Sequence, residues 1–119
     1  MENYWIVGAN WSGDDQKEKF YKLGFWEMGY ADGDKPIFTK RRNKIRENDR
    51  IAIKTMDGQG KSSITIHAIG IVRGIDSGKI YINWVVTNMS RKVHSKGCFS
   101  TIHGPFKFEE EWVKEVFCI

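Results

Sequence analysis

The sequence predicts an α+β fold: a small β-barrel of five or six short strands, with two or three short helices set mostly toward the ends. Three observations predict it. β-branched and aromatic runs of period two recur through the middle of the chain. No helical pattern separates those runs, as a doubly wound parallel sheet would need. The 119 residues make one domain's worth of chain, spanning 1–119 with a single modest core.

Each element has its own local signal. Tyr4-Trp5-Ile6-Val7-Gly8 reads as a first strand. It runs into Asn10-Trp11-Ser12-Gly13-Asp14-Asp15, where Ser12 is placed to cap a helix over about residues 14–23. Asp14 and Asp15 would sit in its first turn, where the macrodipole favours carboxylates. Phe20 and Leu23 would face the core, and Gly24 is the natural stop. Residues 25–30 alternate weakly and read as extended. Pro36 opens a short helix. Glu47-Asn48-Asp49 turns the chain into the strand Arg50-Ile51-Ala52-Ile53-Lys54, and Asp57-Gly58-Gln59-Gly60 is a hairpin-type turn. Residues 63–72 form a long β-branched strand, and Asp76-Ser77-Gly78 turns it into a strand over 79–86. One or two further strands fall within 93–108. A closing helix over 109–117 presents Trp112, Val113, Val116 and Phe117 on one face.

Composition excludes several classes. No apolar run approaches the roughly 20 residues of a spanning helix, and Met1-Glu2-Asn3-Tyr4 has no basic signal-peptide region. Cys98 and Cys118 form no CxxC and read as reduced thiols, which places the protein in the cytoplasm. Nineteen Lys and Arg against 15 Asp and Glu give +4, which favours anionic partners without naming one. Seven Phe, four Tyr and five Trp exceed what so small a core needs.

Catalytic patterns do not assemble. Gly58-Gln59-Gly60-Lys61-Ser62 resembles the tail of a phosphate loop, but Thr55 stands where the leading Gly belongs, and β-branched residues follow instead of a helix. The spacing of His94, Cys98 and His103 matches no zinc pattern. There is no GxSxG elbow and no acid/base pair. The expectation is therefore no enzyme, no metal and no cofactor.

Two features point to binding. Trp11 falls between the first strand and the first helix, and Trp26 follows that helix. Around them Asn10, Ser12, Asp15, Gln16 and Glu27 supply donors and acceptors. A flat apolar wall with a few directed polar groups is what an extruded base requires. The alternative is that both tryptophans close the core under a loop. Residues 35–54 hold eight basic residues against two acidic ones, a local excess of six. With Arg73 and Arg91, Lys92 and Lys96, the group Lys40, Arg41, Arg42, Lys44 and Arg46 suits a phosphate-tracking surface. The alternative is an ordinary solvated face. Together the two features favour a nucleic-acid reader.

The ordered series Tyr4-Trp5-Ile6-Val7-Gly8-Ala9-Asn10-Trp11, Gly13-Asp14-Asp15-Gln16 and Gly24-Phe25-Trp26-Glu27-Met28-Gly29-Tyr30 resembles the EVE-like domain of the PUA-like superfamily. It is most similar to the version at the N-terminus of GTPase subunits in McrBC-type, modification-dependent restriction systems. Residues 45–54, His67-Ala68-Ile69-Gly70-Ile71-Val72 and Ile82-Asn83-Trp84 continue the resemblance in order. It implies a PUA-like (EVE-type) β pseudo-barrel with no activity of its own, reading a methylated or hydroxymethylated base in DNA. It also implies separate ATPase or GTPase motor and nuclease partners in a restriction or defence system, and no membrane. An RNA-binding PUA or ASCH-like module is the runner-up, and a protein-interaction domain the reading from another class. By similarity to YTH-type methyladenine readers, Trp26 would wall the base pocket and Asp15 would accept from the base edge. Asn10, Ser12 and the backbone near Glu27 would complete it. The loop 73–79, where YTH readers carry further cage aromatics, is short here and has none, leaving Trp11 as the candidate second wall.

Overall fold

Alternation along Tyr4–Gly8 (β1) sets the architecture. Trp5 and Val7 enter one hydrophobic cluster, while Tyr4 and Ile6 enter another on the opposite face. The computed structural model describes residues 2–118; Met1 and Ile119 lie outside the described residues. After β1 come a short hairpin, Asn10–Trp11 (β2) with Asp14–Asp15 (β3), then Lys17–Leu23 (α1), Phe25–Trp26 (β4) and Pro36–Arg42 (α2). Arg50–Met56 (β5), Ser63–Asp76 (β6) and Lys79–Val86 (β7) follow, then Arg91–His94 (β8), Ile102–Phe106 (β9) and Glu111–Phe117 (α3).

The result is an α+β fold with one mixed sheet and, among the described residues, three short helices. Strand order is β4-β7-β6-β5-β1-β9, with β8 also on β6. β1 and β5 run parallel, with Gly8 opposite Lys54; the other pairings are antiparallel. β7 and β8 are two halves of one line along β6, interrupted opposite His67, whose carbonyl accepts from the Met89 amide. Phe20 of α1 seals the cluster containing Trp5, Trp26 and Ile53, while Val113 and Val116 of α3 seal the one containing Ile6, Ile64 and Ile66. Between β1 and β5, the buried carboxylate of Asp49 accepts from the Trp5 indole and from the amides of Asn3 and Arg46, all at 2.9 Å.

Several expectations are corrected. The first helix begins at Lys17, because Asp14 and Asp15 pair back onto Trp11 and Asn10. Ser12 (φ 52°) and Gly13 (φ 90°) form that hairpin's turn, both left-handed as a tight primed turn requires. Ser12 is therefore no helix cap; Gln16 holds that position and makes no side-chain capping bond. Leu23 is 57% exposed rather than in the core. Of the extended stretch 25–30, only Phe25 and Trp26 pair, with Tyr81 and Ile80. The hairpin turn after β5, the turn at Ser77-Gly78 and the stop at Gly24 (φ 71°) are present as read.

Candidate functional site

A cavity of about 570 Å³ opens where the parallel strands β1 and β5 end. Its lining comes from three places. The turn after β1 contributes Gly8, Ala9, Asn10, Ser12 and Asp15; the end of β5 contributes Lys54, Thr55 and Met56; the β8–β9 loop contributes Phe99, Ser100 and Thr101. Lys17, which pairs with Asp15, and the rings of Tyr30 and Phe38 complete the wall; the ring centroids are 5.6 Å apart and tilted 44°, with the Lys35 ammonium 5.7 Å from the Tyr30 centroid. Tyr30 and Phe99 are exposed.

The sequence-predicted pocket residues divide. Asn10, Ser12 and Asp15 meet at this cavity. The Asn10 side-chain oxygen accepts from the Gly13 amide at 2.6 Å, which fixes the turn. Burial alone would raise the Asp15 pKa, but hydrogen bonds from the Lys17 ammonium (2.7 Å) and amide (2.9 Å) outweigh it and hold the carboxylate below its ordinary range. Trp26 is a correction: it is 0% exposed, its indole N–H donating to the Gly8 carbonyl at 2.8 Å, so neither ring face is open to a ligand. Trp11 packs edge-on to Phe20 and donates to the Glu27 carbonyl, outside the cavity. Gln16 is buried and bonds the Asp14 carbonyl. Trp11, Gln16, Trp26 and Glu27 thus do not line the cavity.

Tyr30, Phe38 and Phe99 are the aromatic lining that the sequence reading missed. Their signal was position: Tyr30 and Phe99 stand in turn-rich, non-periodic stretches where no core pattern claims them. Lys54 is the other omission. It interrupts an apolar strand at the parity of Ala52, where a side chain turns inward.

Most of the predicted phosphate-contacting residues have partners within the fold. Arg42 is buried and bidentate to Asp32 (2.7 and 3.2 Å), so its place among phosphate contacts is corrected. Arg41 donates to the Ile102 carbonyl, Arg46 to those of Asn43 and Ile45, and Arg91 to those of Glu115 and Val116. Lys92 pairs with Asp57, and Lys96 with Glu110. Lys40, in α2, and Lys44, just after it, are exposed.

Asp57, which accepts from Ser63, Thr65 and Lys92, is held down to about 2 and pins the β5–β6 turn. The Gly58–Ser62 stretch therefore leads into a strand, the opposite of a phosphate loop. Behind the cavity, burial depresses the His103 pKa to about 4 and raises that of the free thiol Cys98 to about 11. Among the described residues no three His, Cys, Asp or Glu side chains are grouped to hold a metal ion. No helix among them is long and apolar enough to cross a membrane. No protein-family model, curated protein or solved structure matches the chain.

Proposed function

We propose that the chain is a non-catalytic DNA-binding reader that draws one modified base, methylated or hydroxymethylated, out of the duplex into this cavity. The observation that carries the reading is the meeting of Asn10, Ser12 and Asp15 with the aromatic rings of Tyr30, Phe38 and Phe99 around one opening. Its volume falls within the roughly 300–1,000 Å³ of small-molecule sites. Rings offer stacking faces, and the amide, hydroxyl and carboxylate groups offer partners for the base edge. Exposed Lys40 and Lys44 suit the phosphates flanking an extruded nucleotide. The mixed sheet accords with the PUA-like, EVE-type pseudo-barrel implied by the motif series. That resemblance extends the proposal to a cytoplasmic modification-dependent restriction or defence system with separate motor and nuclease partners.

Fluorescence anisotropy tests this on duplexes carrying cytosine, 5-methylcytosine, 5-hydroxymethylcytosine or N6-methyladenine, with RNA of equal length as competitor. One modified duplex should bind preferentially. Tyr30→Ala and Phe99→Ala should each erode that preference by the worth of a lost stack, roughly 1–3 kcal/mol. Preference surviving both substitutions moves the base out of the cavity. RNA displacing every duplex selects the RNA-reading alternative, and an absence of salt-dependent binding rejects both.

A further inference from the structure

The cavity contains a charge that the base-stacking reading leaves unused. Lys54 lies opposite Gly8 in the parallel β1–β5 register. Its ammonium lies at the end of β1, where a Cβ on Gly8 would be in ordinary contact with Lys54 Nζ at 3.6 Å. The residue is only 4% exposed, yet it lines the cavity. Among the described residues it forms no ion pair or hydrogen bond; burial is the main influence on it, and the Cys98 thiol is the titratable group that acts on it.

None of the groups packed around Lys54 supplies a counter-charge. From the β8–β9 loop comes Cys98, a thiol pushed up to about 11 and so protonated. From β9 comes His103, depressed to about 4 and so neutral, its Nε2 already accepting from the Ser100 amide at 2.9 Å. From α2 comes Arg41, of like charge, committed to the Ile102 carbonyl at 2.8 Å. From β1 comes Gly8, with nothing to titrate. The carboxylate at the cavity rim, Asp15, has its charge paired with the Lys17 ammonium. A buried, uncompensated ammonium is expensive, and proteins normally pair one or neutralise it. Here Lys54 shares the lining of the cavity with the hydroxyl residues Ser100 and Thr101 and the amide residue Asn10.

We infer that the Lys54 end of the cavity is an anion subsite, which takes a carboxylate or phosphate oxygen of the bound nucleotide. The word nucleotide rests on the proposed function above; the subsite itself rests on Lys54 and the cavity alone. A carboxylate would come from the base, as in an oxidised 5-carboxy pyrimidine, and a phosphate from the backbone of the extruded nucleotide. Burial depresses the Lys54 pKa to about 8, so an anion in contact should raise it again, and anion affinity should fall as pH rises through and above 8.

The test is NMR titration of the full chain with 13C-labelled lysine, following Lys54 Cε from pH 6 to 11. The probes are inorganic phosphate, acetate, deoxycytidine, deoxycytidine 5′-monophosphate and 5-carboxydeoxycytidine. The inference expects at least one anionic nucleoside to bind about tenfold more tightly than deoxycytidine at pH 7 and to raise the Lys54 pKa. The monophosphate and the carboxynucleoside separate the two sources of the anion. Lys54→Met should erase the anionic preference, and Lys54→Arg should retain part of it. Equal affinity for charged and neutral nucleosides, or a preference that survives Lys54→Met, overturns the subsite. Wild-type titration reads the ammonium directly, so a poorly folded variant does not stall the test. Anion binding through Lys54 without any modified duplex binding would sink the base-reading proposal and leave the subsite standing. Duplex discrimination that depends on Tyr30 and Phe99 but ignores Lys54 would do the reverse.

Discussion

At Lys54 the chain keeps an ammonium directly after the buried apolar residues Ile51, Ala52 and Ile53, a placement that costs the fold stability. Its pKa falls from 10.5 to about 8 on folding, so between those values the unfolded chain binds more protons than the folded one. Stability should therefore rise as pH goes from about 8 toward 10.5, and the penalty is fully present below 8. At about 1.4 kcal/mol per pKa unit the penalty is a few kcal/mol at most. Lys54→Met should accordingly stabilise the protein at pH 7 by about 1–2 kcal/mol, with the gain fading above pH 10. Urea midpoints at pH 7 and pH 10.5 check it; a destabilised variant at pH 7 would contradict the unpaired charge. Trp26 teaches the opposite lesson. Its loop position suggested an open ring, but a two-residue pairing with Ile80 and a bond to the Gly8 carbonyl carry it inward. Neither contact has a local signal in the chain.

At the scale of elements, the strands were readable because their period is intrinsic. β1, β5 and β7 start where alternation and turn residues place them, and six strands of four or more residues occur among the described residues. The first helix was misjudged at its start. Ser12 has the residue type of a cap, but two successive left-handed residues send Asp14 and Asp15 back along β2. Cap and tight turn favour the same residue types, so composition alone does not separate them. That hairpin also carries three cavity residues, which is why the site was partly legible: Asn10, Ser12 and Asp15 are local to it, whereas Phe38 and Phe99 arrive through tertiary folding. At the helix's other end, the Gly24 amide bonds the Phe20 carbonyl with φ at 71°. Gly24→Ala should cost about 1 kcal/mol in chemical denaturation. Exposed Leu23→Gln should stay within about 0.5 kcal/mol of the parent. Equal losses at both positions would place Leu23 in the core after all.

At the scale of the whole molecule, the +4 charge is a poor guide to where a polyanion would lie. Arg42, Lys54 and Arg91 are turned to the Asp32 carboxylate, a cavity and backbone carbonyls, leaving Lys40 and Lys44 as exposed candidates in the basic stretch. Replacing both with Ala should flatten the log-affinity against log-salt slope for duplex DNA by about 1.8, from about 0.9 per phosphate contact. The same change should leave the preference for a modified base intact. A loss of that preference would put the two lysines in the base site.

The place of β1 between β5 and β9 has a further consequence, in time. Tyr4 pairs with Arg50 on one side and with Phe106 on the other, so the earliest strand of the sheet to leave the ribosome finds its second partner only when nearly all of it has been made. Until then an aromatic, β-branched segment keeps at least one edge unpaired, which is when non-native strand pairing threatens. The hairpins of β5, β6 and β7 can assemble early from near neighbours, but closing the sheet through β1 is a long-range event of the kind that slows folding. The cavity lies at the end of that last seam, so the binding site should be among the final features of the molecule to form.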